Sequence, residues 1–222
     1  MLYFLFSSGA TGITLVALIL AYVIAICFSM GAHEYAHART AFAFGDDTAA
    51  MQGRMTLNPL AHVSGLGLVS FVLFGFGWAK PVPINPGKFR SYRKGATWVA
   101  LSGVLTNLAL AFIFSALTFF VAPLLWGVDN VFCHFLGYLI EYMFLINLVL
   151  AVFNLLPVPP LDGFNLLSIW TKYGNKFVNF MSQYGMFFLI LFILPIFGGS
   201  SILSLFYSHV GTVFLWFWGL FL

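Results

Sequence analysis

The chain has 222 residues, 62% of them hydrophobic and only 7% charged, with a formal net charge of +3; ordinary soluble domains carry about 25% charged residues. At a mean hydropathy of +1.01 there is too little polar surface to cover a globule in water, which excludes a soluble enzyme, a disordered chain and a nucleic-acid binder. The few Lys and Arg stand beside apolar stretches and report orientation in a bilayer rather than an anionic partner.

The first apolar stretch, 11–31, is long enough to span lipid, which takes about 20 residues, and its N-terminal flank lacks the Lys and Arg of a signal peptide. At its inner end stands His33-Glu34-Tyr35-Ala36-His37. Four helical residues turn the chain by roughly 400°, so both imidazoles leave one face, one above the other. Two such groups fit two corners of a tetrahedral Zn²⁺ site, and the Glu beside the first can reach a water at the metal. Three ionisable groups within five residues of an apolar helix are costly unless they serve a purpose.

Residues 46–61, from Asp46-Asp47 to Asn58-Pro59, have turn formers around a mildly β-prone run and predict a small hairpin or sheet at the cytoplasmic rim. The next apolar stretch, 63–78, is interrupted by Gly65, Gly67, Gly75 and Gly77. It is short for a span, and a re-entrant segment is expected there. Residues 79–97 hold Lys80, Lys88, Arg90, Arg93 and Lys94 and no acid.

Four further spans are expected at 98–122, 135–156, 178–197 and 200–222. The 123–134 loop has no Lys or Arg, whereas 157–177 holds Lys172 and Lys176. The positive-inside bias therefore puts 79–97 and 157–177 in the cytoplasm, with the His-Glu-His cluster on the same side. The fold class is an all-α polytopic bundle of about five to six transmembrane helices forming one domain over 1–222. Cys27 and Cys133 lie on separate apolar stretches and imply neither a disulfide nor a metal site.

Two His and a water leave room for a third protein ligand. Asp162, in Pro159-Pro160-Leu161-Asp162-Gly163, follows an inward-running helix and lies on the His37 side, so topology favours it. His62 stays as an alternative. Asp46 and Asp47 sit in a polar turn, Glu141 at the wrong depth and Asp129 on the wrong side. Gly103 and Asn107 are four residues apart, and a small residue with an amide on one face reads as close helix packing with an interhelical hydrogen bond. Asn147 reads as a polar contact within the bundle.

Together, the HExxH on a membrane helix, the helix bearing Gly103 and Asn107, and Phe153-Asn154-Leu155-Leu156-Pro157 running into Asp162-Gly163 resemble the site-2 protease family of intramembrane zinc metalloproteases. The chain is most similar to the small bacterial members without PDZ or CBS domains, which show stretches like Leu57-Asn58-Pro59 and Trp78-Ala79-Lys80-Pro81. Two departures stand out: Val104 follows Gly103 where Pro is usual, and Phe164-Asn165 follows Asp162-Gly163 where a second Gly is common.

The resemblance implies one Zn²⁺ per chain on His33, His37 and Asp162, with Glu34 catalytic and Asn154 binding the substrate backbone or the oxyanion. It covers about 20–170 as the catalytic core, with C-terminal helices over 178–222. The implied enzyme is a metalloendopeptidase of the cell membrane that cuts single-span or membrane-anchored proteins near the cytoplasmic face. A substrate helix must unwind to be cut, and an edge strand at 46–58 or 78–84 is the candidate to pair with the extended segment. The rival readings are an inactive scaffold and a metal transporter or sensor.

Overall fold

The computed structural model describes residues 12–74, 77–172, 174–194 and 201–221. Their helices are α1 (Gly12–Ala43), α2 (Thr48–Met51), α3 (Gly65–Phe74), α4 (Tyr92–Phe120), α5 (Ala122–Trp126), α6 (Val131–Asn154), α7 (Asp162–Trp170), α8 (Lys176–Ile193) and α9 (Ile202–Gly219). Five of them, α1, α4, α6, α8 and α9, are long and apolar enough to cross a membrane, and the protein is a multi-pass membrane protein.

Helices α1, α4 and α6 pack on one another and make the core. One face of α1 carries Ala21 and Ala25 beside Leu18, Tyr22 and Ile26, packed on Tyr142, Met143 and Ile146 of α6. The alanines let the backbones approach closely, which is how helices gain packing energy in lipid. The opposite face of α1 leaves Ile13, Val16, Leu20, Ile24 and Phe28 exposed, a stripe for lipid. On α4, Ala111 packs against Phe144 and Leu148 of α6. Helix α9 lies outside this trio, where Trp218 Nε1 donates to Ser115 Oγ of α4 over 2.9 Å.

Several boundaries differ from those expected. Helix α1 continues to Ala43, because the alanine-rich stretch past 31 favours helix as strongly as lipid does. Helix α4 starts at Tyr92 rather than 98, since Arg93 and Lys94 are good helix formers whose charges can stay at the interface. Helix α6 ends at Asn154; Pro157 has no N–H to donate and disfavours helix just before it. The segment ends drawn at 11, 197, 200 and 222 lie outside the described residues, as does Gly75.

The hairpin expected over 46–61 is not formed. Thr48-Ala49-Ala50-Met51 makes a helical turn and Pro59–Ala61 a 3-10 turn; among the described residues the nearest approach to a sheet is one isolated bridge, Val63 with Ala79. Ala is the strongest helix former, and the run has no apolar–polar alternation to bury one face of a strand. With it goes the edge strand expected at 46–58. The re-entrant segment expected over 63–78 is not supported either: what forms is the ten-residue helix α3, about 15 Å long, followed by a main chain pinned back at the Val63–Ala79 bridge.

From Gly77 to Ser91 the chain is a strap without a long helix, held extended by Pro81 and Pro83. Polar groups near α1 tie it down. Asp46 Oδ2 accepts the Asn85 N–H (2.6 Å), Arg54 donates to Lys80 O (2.6 Å), and the Arg90 N–H bonds Phe44 O (2.9 Å). Asp46 is buried and also accepts from the Thr48 N–H and hydroxyl. Burial opposes its charge, but these bonds and nearby Lys88 outweigh it and hold its carboxyl below the usual carboxylate range.

A lowered carboxylate stabilises the fold above its ordinary pKa, about 3.9, and that share is lost as pH falls through the folded-state value. Asp46→Ala is therefore expected to lower unfolding stability at neutral pH by about 1.5–3 kcal/mol. It should also flatten the acid limb of a thermal-unfolding pH profile in detergent and speed protease nicking between 79 and 90.

Candidate metal centre and active site

His33 and His37 stand one turn apart on α1 and are both buried. Asp162 opens α7, brought under them by the turn after α6. His33 Nε2 and His37 Nε2 are 3.0 Å apart, and Asp162 Oδ2 lies 3.2 Å from each. Among the described residues this is the group of three metal-ligating side chains that can hold an ion. Bonds of about 2.0–2.1 Å from Zn²⁺ to N and O give tetrahedral edges of about 3.3 Å, close to the triangle present here.

The protons say the same. His37 Nδ1 contacts the Val99 carbonyl at 2.7 Å, an acceptor, so Nδ1 carries the proton and Nε2 is a bare lone pair. His33 Nδ1 contacts Asn107 Oδ1 at 2.5 Å, with the same result. Three electron-rich atoms therefore face one another, and the buried Asp162 Oδ2 has no hydrogen bond of acceptable geometry. A divalent cation relieves this arrangement and also suits its chemistry, two imidazoles and a carboxylate.

The ground beneath the ligands is shaped for them. A Cβ added at Gly103 of α4 would lie 2.5 Å from His33 Cε1 and 2.6 Å from His37 Nε2. A Cβ at Gly163 would run into the main chain of Leu155 and Leu156, so only glycine lets Asp162 start its helix against the end of α6. Gly103→Ala is expected to push the imidazoles apart and weaken zinc binding about tenfold or more, measured by chelator competition.

Glu34 adjoins the group, and its Oε2 accepts the Val82 N–H of the strap at 2.9 Å. Two cavities meet here. One, of about 510 Å³, is bordered by His33, Glu34, His37, Asn154 and Asp162 with Asn165 and Ser168 beyond. The other, of about 450 Å³, shares His33, Glu34 and Asn154 but runs between Met30, Trp78, Leu150, Phe153, Leu189 and Leu203, which are apolar. Asn154 thus faces both, with its Nδ2 donating to Leu150 O of its own helix (2.9 Å).

The remaining candidates fall elsewhere. His62 is buried and its Nε2 bonds Thr56 O at 2.8 Å, supporting a loop. Asp47 pairs with Lys88 at 2.6 Å, and Glu141 accepts from Trp126 Nε1 at 3.1 Å. Gly103 and Asn107, expected to pack helices and hydrogen-bond between them, also meet the rings of His33 and His37. A spacing of four residues shows that they share a face but not which side chains that face meets. Val82 was not anticipated at all, since a main-chain N–H leaves no mark in the residue type.

A family model described as Peptidase family M50 matches residues 129–194. The chain is 39% identical over 187 residues to "Putative zinc metalloprotease YwhC" of Bacillus subtilis, covering 82% of this chain and 83% of that protein. It is 30% identical over 192 residues to Rip2 of Mycobacterium tuberculosis, which carries the same designation, covering 83% and 69%. No solved structure matches the chain significantly.

Proposed function

The chain belongs to the site-2 protease family, peptidase family M50, as a membrane-embedded zinc metalloendopeptidase, and from that premise we propose that it cleaves peptide bonds in or near the transmembrane segments of membrane-anchored proteins. The metal is held by His33, His37 and Asp162 and the general base is Glu34, in one domain of the cell membrane with its active centre towards the cytoplasmic face. The observation that carries this reading is the position of the metal group between an apolar cavity walled by α6, α8 and α9 and a mixed, less apolar one floored by α7, which Asp162, Asn165 and Ser168 border. A segment arriving from lipid meets apolar walls, and water reaches the same point from the less apolar side.

Zinc held there supplies a Lewis acid for the scissile carbonyl and for water. The chain's own residues do the rest. Glu34 takes the proton of the attacking water and returns it to the leaving amine. Asn154, on the wall of both cavities, orients the substrate backbone or meets the developing oxyanion. A membrane helix has its amides bonded internally and must unwind locally before a carbonyl can enter. The strap 78–84 borders the site and can meet the unwound segment through its carbonyls, since Pro81 and Pro83 have no N–H and those of Lys80 and Val82 are taken by His62 O and Glu34.

The test uses purified protein, loaded with zinc in lipid nanodiscs, and a panel of single-span substrates. Products cut within the span or a few residues from its cytoplasmic end, identified by mass and abolished by a chelator, are expected. Cleavage confined to soluble peptides, or none by zinc-loaded wild type, would overturn the proposal.

A further inference from the structure

The two histidines of the metal group are fixed in different ways. His37 Nδ1 rests on a main-chain carbonyl, which can only accept. His33 Nδ1 rests on a side-chain amide, that of Asn107, and an amide can present either its oxygen or its NH₂. If the NH₂ faced His33, the ring proton would move to Nε2 and remove the lone pair that a metal needs. Something must hold Asn107 with its oxygen towards the ring.

That hold lies one helix further on. Asn107 Nδ2 donates to Asn147 Oδ1 of α6 over 2.8 Å, and Asn147 Nδ2 donates to Met143 O (2.7 Å) and to Ser29 Oγ (2.8 Å). All three polar side chains are 0% exposed. Met143 O can only accept, so the Asn147 atom against it is the NH₂. Its oxygen therefore points at Asn107, the Asn107 NH₂ points at Asn147, and the Asn107 oxygen is left for His33. The main-chain carbonyl of Ser29, at a longer 3.4 Å from Asn107 Nδ2, agrees with this orientation but is too long a contact to set it.

We propose that Asn147 is a positioning residue for the metal: through Asn107 it keeps the His33 proton on Nδ1 and the Nε2 lone pair aimed at the ion. Helix glue alone does not account for this, because an amide pair holds two helices together in either orientation. Here the acceptor-only carbonyl of Met143 fixes the orientation from the far end of the relay. The inference rests on His33 being a zinc ligand, and the experiment separates the two.

Asn147→Leu keeps the branching at Cγ but removes the acceptor that orients Asn107. Zinc affinity, by chelator competition, is expected to fall about 10–100-fold, as for other partners behind a ligating histidine. The ¹⁵N shifts of the His33 ring in metal-free protein should move towards the Nε2–H tautomer, and the visible spectrum of bound Co²⁺ should lose tetrahedral intensity. The double variant Asn107→Asp with Asn147→Leu should recover most of the affinity, because a carboxylate can only accept and fixes the ring without the relay. Should Asn147→Leu not fold, Asn147→Ala makes the same test without crowding.

Wild-type zinc affinity in Asn147→Leu would overturn the proposal. So would an equal loss in the double variant, which would mark a packing defect. If His33→Ala itself bound zinc as tightly as wild type, the ligand assignment would be what fails.

Discussion

Glu34→Gln is expected to lower peptide hydrolysis by about 10²–10⁴-fold while zinc stays bound at its wild-type affinity. Glu34 lies beside His33 but is not among the converging ligand atoms, so removing its charge leaves the metal group's three atoms in place. Its Oε2 accepts the Val82 N–H, and a Gln oxygen can accept the same bond, so the strap should not move. What the amide cannot do is take up a proton from water and hand it to the leaving amine. Zinc content and turnover measured on one preparation therefore separate proton transfer from metal binding. Glu34→Asp makes the complementary case: it keeps the base but shortens it by one methylene and withdraws it from Val82, so it should retain more activity than Gln but less than wild type. Turnover within tenfold of wild type in Glu34→Gln would exclude Glu34 as the base.

What was legible in the sequence was the chemistry that depends on spacing along one helix. Two imidazoles four residues apart on an apolar helix announce themselves, because ionisable groups are expensive in lipid. Asp162 could be reached only through topology, by counting spans and weighing Lys and Arg in short loops, since 125 positions separate it from His37. The relay behind His33 was not legible. Asn107 and Asn147 are 40 residues apart on different helices, and nothing in either local pattern says that their amides meet or which way they face. The rim was misread for a different reason. Alternation is the signature of a half-buried strand; 46–61 has turn formers at its flanks but no alternation, and Thr48-Ala49-Ala50-Met51 between them follows its helix preference. The strap 77–91 obeys no periodicity at all, because its order comes from side chains of α1 and the following turns bonding its main chain.

Asp162→Asn should remove most of the zinc dependence of stability, along with activity. The carboxylate supplies the one negative charge that two neutral imidazoles lack, and an amide oxygen of the same shape is a far weaker ligand for Zn²⁺. Structural zinc sites bind with about 10–16 kcal/mol. One ligand of the set is then worth about 3–5 kcal/mol, or roughly 10²–10⁴-fold in affinity. Zinc at 1,000 times its Kd stabilises a protein by about 4.1 kcal/mol, and this falls towards zero once the Kd rises past the free concentration. The wild type should therefore unfold at a higher temperature when zinc is added, and Asp162→Asn should keep at most about a third of that stabilisation. Its metal-free form should lose little, because the substitution removes a buried carboxylate whose Oδ2 faces two ring nitrogens and has no hydrogen bond there. The two effects separate the ligand from the scaffold: a variant that loses the zinc-induced rise but keeps the metal-free transition has lost coordination, and one that loses both has lost the turn that seats α7 under α1. A zinc-induced rise in Asp162→Asn equal to that of wild type would mean that the third ligand lies elsewhere.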